Sequence, residues 1–220
     1  MGTFHRTRGV LAALSIISIH FLAVLPAHSQ AANPVLKRQF KLFGGIGFPV
    51  GDFGESSTPE GGLAQTGITL GAELSTEVAP HFELGAGGGF NLHGADLSYF
   101  QTQFPSVRLE AGSWKIFWFT GLVGFNAGLS DDVGIYGHGN IGLLFANSPD
   151  FTAYSGGSSG HASSVSGTSL GYGFNVGLTF GEHFDTGLRY LAGEPSFTVN
   201  GVTGKQSIGV FGVTFGYIFQ

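Results

Sequence analysis

Leu170-Gly171-Tyr172-Gly173-Phe174-Asn175-Val176-Gly177-Leu178-Thr179-Phe180 is a run in which every even position is large and apolar or aromatic and every odd position is Gly, Asn or Thr. A period of two belongs to a β-strand with one apolar face, because successive side chains of a strand point to opposite sides. Ile68 to Val78 repeats the pattern, with Ile68, Leu70, Ala72, Leu74 and Val78 set against Gly71, Glu73, Ser75 and Glu77. Phe82 to His93 repeats it again, with Phe82, Leu84, Phe90 and Leu92 against Glu83, Gly85, Gly87, Gly89 and Asn91. Weaker copies run over Phe40–Phe48, Val133–Phe145, Phe184–Tyr190 and Ser207–Phe219. Trp114 to Asn126 breaks the rule: Trp114, Ile116 and Trp118 compete with Phe117, Phe119 and Val123 for the apolar face. Its register stays open, and a bulge would account for it.

These are eight strands, each near the 9 to 11 residues that cross a bilayer when tilted. Their connections alternate in length. Ala79-Pro80-His81, Ala127–Asp132 and Gly181-Glu182-His183 are short, whereas Gly51–Gln65, Gly94–Ser113, Asn147–Thr168 and Gly193–Gly204 are long. The third long loop carries Ser155-Gly156-Gly157-Ser158-Ser159-Gly160 and Ser163 to Gly167, which reads as a flexible, solvated lid.

Composition excludes the main alternatives. Of 220 residues, 39 are Gly and 22 Phe, with 8 Pro and no Cys. Gly disfavours helix interiors, and the glycines show no collagen triplet. Mean hydropathy is +0.23 with only 10% charged residues, too apolar for disorder. The start of the chain reads as a secretory leader: His5, Arg6 and Arg8, the apolar run Val10–Leu25, Pro26, then Ala27-His28-Ser29 as the cleavage site. We assign residues 1–29 to a signal peptide, 30–37 to a short periplasmic segment and 38–220 to one β-barrel domain. Cleavage removes Arg6 and Arg8 and no acid, so the remainder is more acidic than the whole chain's −5, which argues against nucleic acid as a partner. Without Cys, no disulfide holds the exported fold.

Alternation alone does not separate a membrane barrel from a lipocalin-like one. Side-chain size does. The set opposite the large apolar residues is dominated by Gly45, Gly47, Gly67, Gly71, Gly85, Gly87, Gly89, Gly171, Gly173, Gly177 and Gly187. An eight-stranded interior is just wide enough for side chains to fill, so the glycine face turns inward and the apolar face outward, toward lipid. The expected fold is an all-β, eight-stranded antiparallel up-and-down transmembrane β-barrel.

The chain resembles the small outer-membrane barrels of OmpA/OmpX type over essentially its whole mature length. The resemblance is carried by Gly45-Ile46-Gly47-Phe48-Pro49-Val50-Gly51-Asp52-Phe53, similar to the family's first strand and outer loop, and by the last strand, Phe211, Val213, Phe215, Tyr217 and Phe219. That strand resembles the C-terminal signal read by the barrel-assembly machinery, with Gln220 standing after the terminal aromatic. The resemblance implies a bacterial outer-membrane location, with short turns in the periplasm and long loops outside.

Chemistry is sparse. Gly137-His138-Gly139-Asn140-Ile141-Gly142 matches the dinucleotide fingerprint, but Leu143-Leu144-Phe145 continues a strand where that motif needs a helix. His138, with Tyr136 and Asn140, falls on the inward face. Lipid A deacylases with a similar pattern place Ser two residues after the His, where this chain has Asn140, so the nucleophile is missing. His81, His93, His138, His161 and His183 are too scattered for a metal site. No catalytic, cofactor or metal site is assigned.

The inward polar residues Lys41, Glu73, Glu83, Asn91, His138, Asn175, Asp185 and Arg189 are expected to form a lumen network, with Arg189 bonding Glu73 or Glu83; Glu77 also faces inward. Phe40, Phe82, Phe180, Phe184, Tyr217 and Phe219 fit a girdle at the turn side, and Trp114 and Trp118 an outer rim. The function expected is structural or surface-interactive, in adhesion or envelope integrity, through four extracellular loops. Partners would be outer-membrane lipids and lipopolysaccharide, the assembly machinery and an unidentified ligand of the loops. A narrow OmpW-type conduit for small hydrophobic molecules is the alternative, and a lipid A modifying enzyme a more distant one.

Overall fold

In a computed structural model the described residues are 38–58 and 61–219; the expected leader, the segment 30–37 and Gln220 lie outside them. The strands are β1 (Arg38–Pro49), β2 (Ala64–Ala79), β3 (Phe82–Ala95), β4 (Arg108–Ala111), β5 (Trp114–Gly128), β6 (Val133–Asn147), β7 (Phe151–Ser155), β8 (Ser158–Ala162), β9 (Ser166–Phe180), β10 (Phe184–Gly193), β11 (Ser196–Val199), β12 (Val202–Lys205) and β13 (Ile208–Phe219). A short helix, α1 (Ser98–Gln103), precedes β4.

Eight of these strands close into one antiparallel barrel in the order β1-β2-β3-β5-β6-β9-β10-β13. Closure is explicit in the register: Phe40 of β1 stands opposite Leu74 of β2 on one side and Phe219 of β13 on the other. With no barrel edge left open, the backbone groups of the wall are paired within it.

Strand alternation sorts the side chains as the period-two pattern requires. Phe119, Ile141, Leu170, Phe184 and Phe215 are 59–67% exposed on the outside. The ambiguous strand β5 pairs without a register shift along both β3 and β6, so it carries no bulge. Trp114, Ile116, Trp118, Thr120 and Leu122 point inward, and Phe117, Phe119, Val123 and Phe125 outward. The two tryptophans are therefore interior residues, not an outer rim. The irregularities lie between β2 and β3, at Ala64/Gly67 and Glu77/Ala79.

Inward tryptophan is possible because glycine stands opposite it. A Cβ on Gly89 would lie 2.5 Å from the Trp118 ring, and one on Gly71 would collide with the Phe43 ring. Gly177 and Gly187 leave room for Tyr136, whose hydroxyl would sit 2.6 and 2.5 Å from added Cβ atoms. The glycine face thus holds hollows that rings from neighbouring strands occupy.

At the long-loop end, β4, β7 and β8 form a separate three-stranded sheet, and β11 pairs with both β12 and β9. The third long loop is therefore built rather than a structureless lid. Gly156 and Gly157 both take positive φ, the backbone of a two-residue hairpin turn, and this closes β7 onto β8. Asn200 and Gly201 do the same between β11 and β12. In loop one, the amide and hydroxyl of Ser57 donate to Glu55 Oε1 at 2.7 and 2.5 Å. These bonds hold that carboxyl below its ordinary range.

Candidate functional site

The interior has two decks. The deck toward the short turns is polar. Lys41 Nζ lies 2.9 Å from Glu73 Oε2 and 3.3 Å from Asp185 Oδ2, and Arg189 Nη2 lies 2.6 Å from Glu73 Oε1. Asn175 donates to the same Glu73 oxygen at 2.8 Å, and the Tyr136 hydroxyl donates to Asp185 at 2.6 Å. Three rings flank the cations: Arg189 is 4.0 Å from the Phe43 centroid and 4.9 Å from that of Trp118, while Lys41 is 4.5 Å from that of Tyr136. Buried charges persist only when paired and hydrogen-bonded, and each of these is.

A second polar group stands beside the first. His138 Nε2 is 2.8 Å from Glu83 Oε2, and Asn126 donates to the other Glu83 oxygen. Asn91 stands apart, joined to Thr69. The eight expected lumen residues are all buried, in three groups: Lys41, Glu73, Asn175, Asp185 and Arg189 together, Glu83 with His138, and Asn91 with Thr69. Arg189 takes Glu73, not Glu83. Glu77 is only half-buried and accepts the His81 amide at 2.9 Å, bracing the turn.

The deck toward the long loops is apolar. Phe53, Ile116, Leu144 and Ile208 are fully buried there with Trp114, Phe197 and Val210. Phe53 comes from the first long loop and stands edge-on to Trp114 at 5.4 Å; Phe197 comes from β11, at 6.0 Å from the same ring. Trp114 Nε1 donates to the Gly62 carbonyl at 2.8 Å, fastening the loop across the mouth. His93, missed as a site residue, is fully buried beside Phe53, with its Nδ1 donating to the Gln65 carbonyl at 2.9 Å. Phe43, Trp118, Tyr136 and Asn126 were also missed as network members. For Phe43 and Tyr136 the signal was present, since they share parity with Lys41 and His138. For Trp118 and Asn126 it was hidden by the unsettled register of β5.

Two recesses stand out among the described residues. One, of about 240 Å³, opens at the short-turn end and is lined by Glu77, Glu83, Asp131, Asp132, Tyr136 and His138 among others. The other, about 550 Å³, lies where β10 stops at Gly193, between Tyr172, Tyr190, Ile208 and Val50. Chemistry of the acyl-transfer kind finds no support beside His138: Asn140, two residues on, spends its amide on Asn175 at 3.2 Å. Among the described residues no group of three His, Cys, Asp or Glu side chains could hold a metal ion.

The turn-side aromatics meet at the closure of the barrel. Phe40 and Phe219 are 5.8 Å apart, and Tyr217 packs on Phe219 at 4.7 Å and on Phe184 at 5.4 Å. An apolar exterior on a closed barrel with a polar and packed interior is stable in a lipid bilayer, where only closed barrels and helices satisfy their backbones. Barrels of this build are outer-membrane structures.

No protein-family model and no curated protein sequence matches the chain. Solved structures do. Ail, the attachment invasion locus protein of Yersinia pestis, is 20% identical over 83% of this chain and 99% of its own, with a TM-score of 0.45. Neisserial surface protein A is 11% identical over 82% and 95%, with a TM-score of 0.49. The N-terminal β-barrel domain of Pseudomonas aeruginosa OprF is 13% identical over 83% and 96%, with a TM-score of 0.41.

Proposed function

We propose that this chain is a non-catalytic outer-membrane barrel whose role is structural and surface-interactive, exercised by the β-built long loops outside the cell. The observation that carries this reading is the sealed interior. Phe53 and Phe197 fold in from two loops to close one deck, and the ion network of Lys41, Glu73, Asp185 and Arg189 crosses the other. A wall sealed in this way leaves the three-stranded sheet of β4, β7 and β8 and the β11–β12 hairpin as the parts that meet other molecules. Outer-membrane lipid and lipopolysaccharide surround the belt, and the unidentified ligand meets the loops. The outward row Phe211, Val213, Phe215, Tyr217 and Phe219 serves the assembly machinery during insertion.

The recess at Tyr172, Tyr190 and Gly193 favours the OmpW-type conduit, since it indents the wall. The packed upper deck behind it, with Ile208 and Leu144 fully buried, argues against passage.

The test uses a Gram-negative host expressing the whole chain. The outer-membrane fraction should contain a band that runs faster unboiled than boiled. Cells carrying a version with residues 151–162 trimmed to a short turn should show changed attachment or detergent sensitivity, with the shifting band retained. A protein found soluble in the periplasm, or a trimmed version that behaves as the whole in both assays, overturns the proposal.

A further inference from the structure

The recess at the short-turn end is chemically lopsided. Glu77, Glu83, Asp131 and Asp132 line it, and the one Lys or Arg among its lining residues, Lys41, is already shared between Glu73 and Asp185. Among the described residues Glu77, Asp131 and Asp132 form no ion pair with Lys, Arg or His. The acids alone would signify only a solvated rim. His138 adds an independent observation. It lines the recess, is 93% buried, and its Nδ1 has no hydrogen-bond partner.

The role of that nitrogen follows from its ring. Glu83 accepts from Asn126 Nδ2 and from His138 Nε2, so Nε2 carries a proton. In the neutral imidazole the other nitrogen is then an acceptor. Carboxylates and an imidazole lone pair outweigh the cationic donors of the recess, whose one Lys, Lys41, is already shared between Glu73 and Asp185. The complementary ligand is rich in donors and has no acceptor, which describes an alkylammonium. A bare metal ion fits less well, because no three-ligand group exists among the described residues and the volume of about 240 Å³ is that of a small organic molecule.

We propose that this vestibule binds a short organic polycation of the diamine or polyamine class, one ammonium against His138 Nδ1 and Glu83 and another among Glu77, Asp131 and Asp132. The periplasmic face assigned to it rests on the orientation proposed above; the binding itself does not.

The test titrates spermidine into the purified, folded full-length protein in zwitterionic detergent, followed by calorimetry and by the ¹⁵N resonance of His138 Nδ1. Saturable binding that moves the Nδ1 signal is expected, as is about tenfold weaker binding by the Glu77→Gln/Asp131→Asn/Asp132→Asn variant through loss of charge-assisted hydrogen bonds. Glu194→Gln, at the opposite end, should bind as the parent does. These four positions are outside the ion network, so the variants should fold, and the gel shift on boiling reports this in the same samples. No saturable binding, equal binding by the triple variant, or displacement by Mg²⁺ at equal concentration overturns the proposal, while a retained gel shift leaves the barrel reading intact.

Discussion

Replacing Arg189 with Ala tests whether the lumen network holds the barrel together. Arg189 is 7% exposed, and its guanidinium sits 2.6 Å from Glu73 and 4.0 Å from the Phe43 ring centroid. Without it, Glu73, itself 4% exposed, keeps only Lys41 and Asn175, and Lys41 is divided with Asp185. Removing one partner of a buried pair costs about 3–5 kcal/mol, because the other charge stays desolvated. With a urea slope of about 2 kcal/mol per M, a loss of ~4 kcal/mol moves the unfolding midpoint down by ~2 M. The assay is equilibrium urea unfolding of the barrel in lipid vesicles, read by tryptophan fluorescence. Glu73→Gln/Arg189→Met should recover much of the loss, since it removes both charges and keeps the volume. Arg189→Lys should not, because a lysine cannot lie flat between Phe43 and Trp118 while bonding Glu73. A midpoint lowered by less than ~0.5 M in the Ala variant would refute the idea that this network is structural.

Two further substitutions probe the lipid face and the loops. Phe215 is 67% exposed on the outer wall, and Phe215→Arg should lose about 2–4 kcal/mol in vesicles if that wall meets the middle of the bilayer; an unchanged midpoint would mean the residue faces water. Gly157 has φ +86° in the β7–β8 turn, where a β-branched residue is strained. Gly157→Val should open residues 151–162 to limited proteolysis while the unboiled gel mobility stays as in the parent, and a hairpin that remains resistant would show that the turn does not hold it.

Much of the wall was readable because lipid imposes a strict rule on it. Ile68–Val78, Phe82–His93 and Leu170–Phe180 alternate cleanly, and each lies within a barrel strand with its large apolar side chains on the outer face. Trp114–Asn126 was unreadable for a specific reason: both of its faces are aromatic, one toward lipid through Phe117 and Phe119, the other toward the lumen through Trp114 and Trp118. Hydropathy cannot rank two greasy faces. Size could have, had the glycines of β3 been read as the complement of a neighbour rather than as filler. The third long loop misled in a related way. Its Ser and Gly content signals flexibility in isolation, yet Gly156 and Gly157 supply the positive φ that a tight hairpin demands, and pairing to β4 supplies the rest.

The network was legible as a set of residues and illegible as a set of bonds. Parity places Lys41, Glu73, Asp185 and Arg189 inside, but which pairs with which depends on how far each strand is sheared past the next, and alternation carries no information about shear. Arg189 could reach Glu73 rather than Glu83 because Phe43 and Trp118 occupy the hollows left by Gly71, Gly87 and Gly89 and aim the guanidinium between them. Glu83, left without Arg189, takes His138 and Asn126 instead. That partition leaves His138 Nδ1 without a hydrogen-bond partner in a side chain that lines the acid-rich recess. The same glycines that make the interior wide enough for rings therefore set which carboxylates are neutralised internally and which wait for a cation from outside.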